Sequence, residues 1–379
     1  MTVRVAFCLR DMNIGGVESV LTRTLDRLCK NTEIKIVVCL YTPVRVVWRE
    51  WFASHPEIEL RVIYPHMGTD LPRGFLWRVL QHGVRDIYRA IRRMFVVPRM
   101  LRDIDVFIDY YDFDWWHELR RIHKPKIAWW HSSVKKFMHG HYIKRVTGYY
   151  KFVVLTDAFA DVIRHTYPDI STRVIRIYNP IDIAVARDNA TRVPRRDGDY
   201  FVCVARLVNG KDIETVIHAF DMFWQKNNQP DTDLLIVGDG YARPRFDAFA
   251  QRVLAKKHII FTGAVDNPFG FIAGARANIL SSHGEGFALV LIEAAAVGTL
   301  NIASDCEFGP REILMDGNAG ILFNVGDADA LAAAMDAVYN NTIDTDKMVK
   351  RATENLNRFD IKQINKIIQD LVLTARINE

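Results

Sequence analysis

The sequence predicts an α/β protein of two domains, each built on a parallel β-sheet covered by helices. Two observations carry this prediction. Short apolar runs rich in Val and Ile alternate with amphipathic helical segments, a pattern typical of buried parallel strands. The alternation restarts near residue 200, and 379 residues are too many for one hydrophobic core.

The first half of the chain predicts one doubly wound sheet over residues 1–180. A buried strand at 3–9 is followed by the loop DMNIGG and by a helix that begins near Val17, in which apolar residues recur at helical spacing. Further strands are predicted over 35–41, 60–64, 105–110, 126–131, 152–156 and 173–178. This order of elements is that of a Rossmann-like domain.

The second half repeats the arrangement over residues 181–358. The polar stretch 187–199 reads as the connection between the domains. Strands are predicted over 200–205, 233–238, 258–263, 277–282 and 299–304, and helices over about 212–227, 243–256 and 287–298. Ligands of open α/β sheets bind beyond the carboxyl ends of the strands, so the loops there are the candidates for chemistry.

Composition and charge indicate a cytoplasmic protein with an anionic partner. The sequence has no apolar run long enough to cross a membrane and no signal peptide, and its five cysteines are widely spaced, as in a reducing compartment. Residues 1–180 hold 29 Lys and Arg against 18 Asp and Glu, whereas residues 181–379 hold 21 against 27. The first half should therefore seek an anionic surface.

Two loops carry features of phosphate binding. Gly15 and Gly16 lie between a strand and a helix, where backbone amides can approach a phosphate, although a tight turn explains them equally well. They do not form the spaced fingerprint of dinucleotide-binding enzymes. In VARLVNGKD (204–212), Arg206 and Lys211 lie at a strand end and a helix start, where two cations can bracket a diphosphate; solvated surface charge is the alternative.

The segment SSHGEGFALVLIEAAAVG (281–298) is the sharpest signal. Glu285 lies in the loop after a strand, next to the start of a helix whose free amides favour an anion. Glu293 lies about two turns inside that helix, among alanines and valines, where a carboxylate needs a polar partner. The alternative is a carboxylate on the helix dipole together with an edge-exposed glutamate.

The run E-G-F-x-L-x-x-x-E in this segment resembles the E-x7-E signature of retaining family 4 (group 1) glycosyltransferases of GT-B fold. Other segments resemble blocks of that family, in its order and over essentially the whole chain. They are MNIGGVE (12–18), WWHSS (129–133), VLTDAF (154–159), IYNPID (177–182), VARLVNGKD (204–212), IVGDG (236–240), FTGAVDN (261–267) and SDCEFGPREIL (304–314).

The resemblance implies the GT-B architecture, in which two Rossmann-like domains face each other across a cleft. The first domain (1–180) would hold the acceptor and the second (181–358) the nucleotide sugar. The last helix, within 359–379, would pack back on the first domain. His131 matches the histidine that faces the donor sugar from the first domain, and Gly15 and Gly16 match the loop that closes over the phosphate and the acceptor.

In the second domain the resemblance assigns the donor contacts. Arg206 and Lys211 would neutralise the diphosphate, Glu285 would contact the sugar hydroxyls, and Glu293 would hold the ribose. Val265 lies where the family holds the nucleobase. The amides after Gly286 would meet the phosphate; these belong to Phe287, Ala288 and Leu289.

The expected donor is a UDP-sugar, with a GDP-sugar as the alternative, and no metal cofactor is expected. The tripeptide Asp112–Asp114 is a D-x-D, the metal signature of the other glycosyltransferase fold, but this short pattern occurs at five further places in the chain. A double displacement with retention needs a nucleophilic carboxylate, and the sequence identifies none. The front-face route favoured for the family is therefore the hypothesis.

Residues 73–102 contain eight arginines and one acidic residue, with aromatic and aliphatic residues near helical spacing. Such a basic amphipathic helix suits an anionic membrane surface, and a core-packed helix with a solvated arginine face is the alternative. No nucleic-acid recognition module accompanies the charge. A peripheral position at the inner face of the cell membrane follows from the first interpretation.

These features predict a retaining, metal-independent glycosyltransferase that builds a bacterial surface polysaccharide, such as lipopolysaccharide, capsule or exopolysaccharide. A sugar-nucleotide 2-epimerase of the same fold and a non-catalytic subunit that binds nucleotide sugars are the rival interpretations. The sugar, the acceptor, the linkage and the oligomeric state are not readable from the sequence.

Overall fold

The computed structural model describes residues 2–12, 15–64, 86–140, 142–192 and 198–377. Parts of three sequence features fall outside these ranges, namely residues 73–85 of the basic segment, 13 and 14 of the first glycine loop and 193–197 of the polar stretch. The chain divides into two compact units. Unit 1 comprises Met1–Leu155, Phe159–Ile177 and Ile364–Glu379, and unit 2 comprises Thr156–Ala158 and Tyr178–Gln363.

Unit 1 contains a sheet whose seven described strands are all parallel, in the order β3-β2-β1-β4-β5-β6-β7. Each strand agrees with a predicted apolar run to within two residues at either end. The strands are β1 (Val3–Leu9), β2 (Ile34–Leu40), β3 (Glu59–Val62), β4 (Val106–Asp109), β5 (Lys126–Trp129), β6 (Lys151–Val154) and β7 (Val174–Arg176). The strand order reverses between β1 and β4, which makes this edge the switch point of unit 1.

The helices of unit 1 are amphipathic or short, and they cover the sheet. In Gly16–Leu28 the side chains of Val20, Leu21, Leu25 and Leu28 are buried. From Ile364 onward the last helix of the chain belongs to unit 1, where the Asn365 amide donates to the Thr24 carbonyl at 3.0 Å. The α-helices are Gly16–Leu28, Val46–Ala53, Val97–Met100, Trp116–Leu119, Val134–His139, Ile143–Val146, Asp157–Thr166 (unit 1 from Phe159) and Ile361–Ile377.

The described part of the basic segment is helical but irregular. Residues 86–91 are α-helical, Arg92–Val96 form a π-helical turn, and Val97–Met100 resume the α-helix. Pro98 has no N–H to donate to the preceding turn, which accounts for the widened turn before it. The helix ends at Met100, two residues before the predicted end. In the described ranges, no helix is both long and apolar enough to cross a bilayer.

Unit 2 contains a second parallel sheet, with its described strands in the order β10-β9-β8-β11-β12-β13. The sequence did not predict β13, because an apolar run of three residues is too short to show a period. The strands are β8 (Asp199–Val204), β9 (Thr232–Val237), β10 (Ile259–Gly263), β11 (Asn278–Leu280), β12 (Asn301–Ser304) and β13 (Ile321–Phe323). Here the order reverses between β8 and β11.

Helices cover the sheet of unit 2, and its largest apolar cluster joins β8, β9 and β11 to the helices Ile213–Lys226 and Ala328–Tyr339. The helix predicted over 243–256 ends at Ala250 and is followed by a 3₁₀ turn, Leu254–His258. The α-helices are Ile183–Arg192, Ile213–Lys226, Arg243–Ala250, Phe269–Ala273, Leu289–Ala296, Pro310–Ile313, Ala328–Tyr339 and Thr345–Glu354.

The stretch predicted to connect the domains, 187–199, begins inside a helix, Ile183–Arg192. The Asp182 carboxylate accepts a hydrogen bond from the Val185 amide at 3.2 Å near its start. Arg187 Nε donates to the Ala296 carbonyl at 3.0 Å. Only Ala186 of this helix is buried, so its sequence is polar and shows no apolar stripe.

Candidate functional site

The loops with Arg206, Lys211 and Glu285 follow two adjacent strands of unit 2. Arg206 and Lys211 come after β8, and Glu285 comes after β11. These strands pair with each other although β9 and β10 lie between them in sequence. The chain runs outward from this pair in opposite directions, and such a switch point is where open α/β sheets bind ligands.

An ion pair joins the two loops. Lys211 Nζ lies 2.5 Å from Glu285 Oε1, and the Ser282 hydroxyl donates to the same oxygen at 2.6 Å. Both charged side chains are largely buried, with 24% of the Lys211 side chain and 12% of the Glu285 side chain exposed. A pair held in a loop crevice can present an oriented cation and an oriented carboxylate to one polar ligand.

Further hydrogen bonds fix the same two loops. The Ser281 hydroxyl donates to the Lys211 carbonyl at 2.7 Å, and the His283 amide donates to the Gly210 carbonyl at 3.0 Å. His283 Nε2 lies 3.0 Å from Asp212 Oδ2. The position of Lys211 relative to Glu285 is therefore set by the backbone of both loops as well as by the ion pair.

The loop with Arg206 lies directly against two glycines of the IVGDG segment. A Cβ on Gly238 would be 2.0 Å from the Ala205 carbonyl oxygen, and a Cβ on Gly240 would be 2.3 Å from the Leu207 oxygen. Gly238 also has φ +133°, which other residues rarely adopt. The Arg206 side chain itself is exposed, and no carboxylate of the described residues forms an ion pair with it.

The predicted helix after Glu285 spans Leu289–Ala296, and no side chain caps its first turn. The preceding residue, Ala288, has left-handed backbone angles, φ +65° and ψ +62°. A Cβ on Gly309 would be 2.9 Å from the Phe287 oxygen, so another loop closes onto this start. Uncapped amides at a helix start favour an anion.

Glu293 and Val265 lie on the same unit but make different kinds of contact. Glu293 is half-buried in the second turn of the helix, where Ala294 and Ala295 are buried. Val265 follows β10 and packs against the apolar cluster that contains Tyr200 and Val202. Its side chain is therefore partly buried by this packing.

In unit 1, Gly15 and Gly16 mark the start of the first helix. Gly15 has extended angles, φ −174° and ψ 176°, and its carbonyl accepts hydrogen bonds from the Ser19 amide at 3.2 Å and the Ser19 hydroxyl at 3.0 Å. The helix therefore begins without a side-chain cap. The binding roles of the two glycines stay a prediction.

His131 lies just beyond β5 with its ring among aromatic side chains. The ring centroid is 4.7 Å from that of Tyr110, and it stacks on Trp129 at 6.1 Å with an interplanar angle of 6°. Burial lowers the pKa of His131 to about 4, and the nearby Asp112 carboxylate opposes this shift only in part. The imidazole is therefore neutral near pH 7, and neither ring nitrogen has a hydrogen-bond partner among the described residues.

Asp112 holds the loop that carries His131, a contact that the sequence did not reveal. Its Oδ1 accepts hydrogen bonds from the amides of His131 at 2.8 Å and Ser132 at 3.3 Å. Its Oδ2 accepts from the Ser132 hydroxyl and from Lys136 Nζ, the latter at 2.8 Å. The carboxylate is buried, and Asp112 has a left-handed backbone, φ +51°.

This arrangement gives the D-x-D tripeptide a hydrogen-bonding role. Burial raises the pKa of Asp114 to about 6. Across the part of the chain that the structure describes, no group of three or more His, Cys, Asp or Glu residues is placed to hold a metal ion. The signal in the sequence that could have indicated this role is position. Asp112 follows β4, and the His131 loop follows β5, the next strand along the chain.

Comparisons with known proteins place these features in context. Residues 187–355 match the family model described as Glycosyl transferases group 1. Over 134 residues the chain is 36% identical to the phosphatidyl-myo-inositol mannosyltransferase of Mycolicibacterium smegmatis, a match that covers 35% of this chain and 34% of that protein. That match spans about a third of the relative's length.

Two further matches extend over the whole chain. Over 371 residues the chain is 22% identical to the GalNAc-alpha-(1->4)-GalNAc-alpha-(1->3)-diNAcBac-PP-undecaprenol alpha-1,4-N-acetyl-D-galactosaminyltransferase of Campylobacter jejuni, with 96% of each protein covered. The crystal structure of Anabaena HepE in complex with UDP matches with a TM-score of 0.76 at 16% identity, over 98% of this chain and 100% of that chain. At this identity the likeness shows the fold, which is GT-B.

Proposed function

We propose that this protein transfers a sugar from a nucleotide-diphospho-sugar to a glycan or glycolipid acceptor. The premise is that residues 187–355 form a domain of the group 1 glycosyl transferases. The observation that carries the proposal is the Lys211–Glu285 pair, held at the switch point of unit 2 beside an uncapped helix start. These groups match the charge distribution of a sugar diphosphate, with hydroxyls on one side and two phosphates on the other.

Each group then has a defined part in donor binding. Lys211 and Arg206 neutralise the diphosphate, and the amides of Phe287, Ala288 and Leu289 bind a phosphate oxygen. Glu285 accepts hydrogen bonds from the sugar hydroxyls. Because Lys211 contacts Glu285 directly, the lysine lies where the sugar meets the diphosphate.

The nucleoside is held further along the same sheet edge and helix. Glu293 binds the ribose hydroxyls, and the backbone near Val265 binds the base, since the Val265 side chain is packed in an apolar cluster. For Gly15 and Gly16 of unit 1, the phosphate contact stays a prediction from the family resemblance. UDP is the proposed nucleotide, supported by the UDP in the HepE structure, and GDP is the alternative.

The chemical step is loss of the nucleoside diphosphate, which leaves negative charge on the departing phosphate and positive charge on the sugar. Preorganised cations and amides stabilise the first charge without reorganising during the reaction. Lys211 and Arg206 supply this charge from the protein, which supports a reaction that needs no metal. His131, neutral because of its low pKa, can act as a hydrogen-bonding group at the sugar.

Retention of configuration by a front-face route is part of the proposal. In that route the departing phosphate accepts the proton of the acceptor hydroxyl, so no protein nucleophile is required. Analysis of the anomeric configuration of the product by NMR tests it, because an inverted product is incompatible with the route.

The proposed acceptor is a lipid-linked glycan of a bacterial surface polysaccharide, such as lipopolysaccharide, reached at the inner face of the cell membrane. The names of two relatives, which mention phosphatidyl-myo-inositol and PP-undecaprenol, support a lipid acceptor. On unit 1 a row of apolar side chains lies exposed on the basic segment, at Ile87, Ile91, Met94 and Phe95. An exposed apolar row among arginines suits an anionic membrane surface.

The substitution Glu285→Ala tests the assignment of the site. We expect turnover to fall at least about a hundredfold, as for the loss of one preorganised group. The Kd of the free nucleoside diphosphate should stay within roughly threefold, because that ligand lacks the transferred sugar whose hydroxyls Glu285 binds. Glu307→Ala is the matched control, since Glu307 is an exposed glutamate on the loop after β12. Turnover of Glu285→Ala equal to that of Glu307→Ala would sink the assignment.

Two simple assays separate the proposed activity from its rivals. Incubation with donor alone should leave the sugar unchanged, whereas a 2-epimerase converts it without any acceptor. A thermal-shift panel of nucleotide sugars identifies the donor, since a ligand of the native state raises the melting temperature. Binding without turnover for any acceptor would indicate a non-catalytic subunit, and activity abolished by EDTA would contradict metal independence.

A further inference from the structure

A second cluster of charge and aromatic rings lies on unit 1, outside the residues assigned to sugar transfer. The guanidinium carbons of Arg120 and Arg145 lie 5.1 Å and 5.0 Å from the centre of the Trp116 ring system. Arg145 also lies 5.1 Å from the Tyr142 ring. Two arginines on one half-exposed indole are brought together from two short helices, Trp116–Leu119 and Ile143–Val146.

The positive charge of this cluster is not balanced by protein carboxylates. Within the described ranges, neither Arg120 nor Arg145 has an acidic partner within ion-pair distance, and the buried Glu118 carboxylate is paired with Arg93 at 2.8 Å. The pKa of the neighbouring His117 is consistent with this excess of positive charge. Burial lowers that pKa, and the nearby Arg93, Arg120 and Arg145 lower it further, against the opposing effect of Glu118. Like charges held together favour an anionic ligand.

The cluster adjoins the exposed apolar row of the basic segment. Arg93, which belongs to that segment, reaches Glu118, which belongs to the same short helix as Trp116. The row consists of Ile87, Ile91, Met94 and Phe95, each between 52% and 62% exposed. Their spacing places them along one side of the helical segment. The Arg93–Glu118 contact therefore links the segment with the apolar row to the short helix with the indole, on unit 1.

We propose that Trp116, Arg120 and Arg145 form a binding site for the phosphate of an anionic phospholipid headgroup, beside the apolar row that enters the membrane interface. A guanidinium fork can bind two phosphate oxygens at once, and an indole suits the level of the headgroups. The inference rests on the membrane contact of the proposed function, and it adds a defined headgroup site that lies beyond residues 73–102.

The test compares two double variants that lose the same charge. Arg120→Gln with Arg145→Gln removes both guanidinium groups of the site. Arg121→Gln with Lys144→Gln removes the exposed neighbouring cations, which have no contact with Trp116 among the described residues. Binding is measured by co-sedimentation with vesicles of phosphatidylcholine alone and of phosphatidylcholine with phosphatidylglycerol. Melting temperatures verify that both variants are folded.

We expect the Arg120/Arg145 variant to bind anionic vesicles at least about tenfold more weakly than the Arg121/Lys144 variant, since two oriented contacts are lost. Equal losses in the two variants would mean diffuse attraction and would overturn the site. Failure of the wild-type protein to bind anionic vesicles would overturn the site together with the membrane contact. Sugar transfer by the wild-type protein to a water-soluble acceptor reports separately on the proposed activity.

Discussion

At the scale of single residues, Asp112 shows how a buried carboxylate can hold the loop that carries a proposed site residue, His131. It accepts hydrogen bonds from the backbone of His131 and Ser132 and from the Lys136 ammonium. A buried carboxylate needs such donors, since an unpaired charge is costly. Asp112 is therefore a positioning residue for His131.

Asp112→Ala should lower kcat while changing the KM of the donor little. The amides of His131 and Ser132 would lose their acceptor, and a small displacement of a group at the reacting centre costs about ten- to a hundredfold in rate. Asp112→Asn should restore kcat to within roughly threefold of wild type, because an amide oxygen still accepts from both N–H groups. Steady-state kinetics of the three proteins provides the measurement.

The two variants also separate positioning from stability. Melting temperatures should fall more for Asp112→Ala than for Asp112→Asn, since the alanine leaves the amides of His131 and Ser132 without an acceptor, whereas the asparagine oxygen still accepts from them. Wild-type kcat in a folded Asp112→Ala protein would contradict the positioning role, whatever its stability.

At the scale of elements, the loop after β8 depends on Gly238, the glycine that follows β9. Gly238 lies against the Ala205 carbonyl and has φ +133°, whereas Gly263 has φ +78° with no atom within 4 Å of an added Cβ. Gly238 follows β9 and Gly263 ends the neighbouring β10, and the Gly238 amide donates to the Gly263 carbonyl at 2.8 Å. They differ in the contact that an added methyl group would make.

Gly238→Ala should therefore destabilise the protein more than Gly263→Ala. Both variants carry backbone strain, but only the first forces the Arg206 loop to move, which adds about 2 kcal/mol of overpacking. The free energy of unfolding in urea and the Kd of the nucleoside diphosphate give the comparison. Equal free energies of unfolding for the two variants would show that the Arg206 loop can move without loss of stability, which contradicts the prediction.

The strands and helices were predictable where buried residues produce a regular pattern of apolar side chains in the sequence. Strands such as β1 and β8 are buried on both faces and read as apolar runs, as parallel strands must. Helix Ile183–Arg192 and strand β13 were missed, the first because only Ala186 is buried and the second because it has three residues. Neither produces enough periodic burial to be recognised locally.

At the scale of the whole molecule, one buried carboxylate should set part of the pH dependence of stability. Asp109 ends β4 with its side chain fully buried, where it accepts hydrogen bonds from the Tyr149 hydroxyl at 2.6 Å and the Trp115 amide at 3.2 Å. Burial raises its pKa from 3.8 to about 8. The folded protein therefore keeps a proton on Asp109 at neutral pH that the unfolded chain releases.

The consequence is a loss of stability as pH rises. The contribution of Asp109 is complete below about pH 4 and declines up to about pH 8, with a slope of up to about 1.4 kcal/mol per pH unit. Asp109→Asn removes the titrating group, so its melting temperature should depend less on pH between 6.5 and 8. If the melting temperatures of wild type and variant change equally with pH in this range, the assignment to Asp109 is refuted.

The chosen pH range avoids the opposite effect of His131. Its pKa falls from 6.5 to about 4 on burial, so the unfolded chain binds the extra proton between these values and His131 destabilises the fold as pH falls below 6.5. Above pH 6.5 the imidazole is mostly neutral in both states. The slope measured there belongs to groups such as Asp109.

The sequence by itself determined the class of each half, the order of the strands and helices that it predicted, and the positions of Glu285 and Lys211 in segments that follow strands. These features follow from the periodicity of burial and from turn residues, which act over short stretches of chain. Motif order also sufficed to indicate the GT-B fold that the solved structures share. The site residues were thus predictable as loop positions.

Only the tertiary structure decided which of these loops meet. Lys211 contacts Glu285 across 74 residues because β8 pairs with β11, and Asp112 contacts the backbone of His131 because β4 pairs with β5. Likewise, Trp116 contacts Arg145, which lies on a separate helix. Strand adjacency is set by packing between residues distant in sequence, and no local pattern encodes it. The sequence therefore shows which polar side chains lie in loops, and the packing of the sheets determines which of these side chains contact each other.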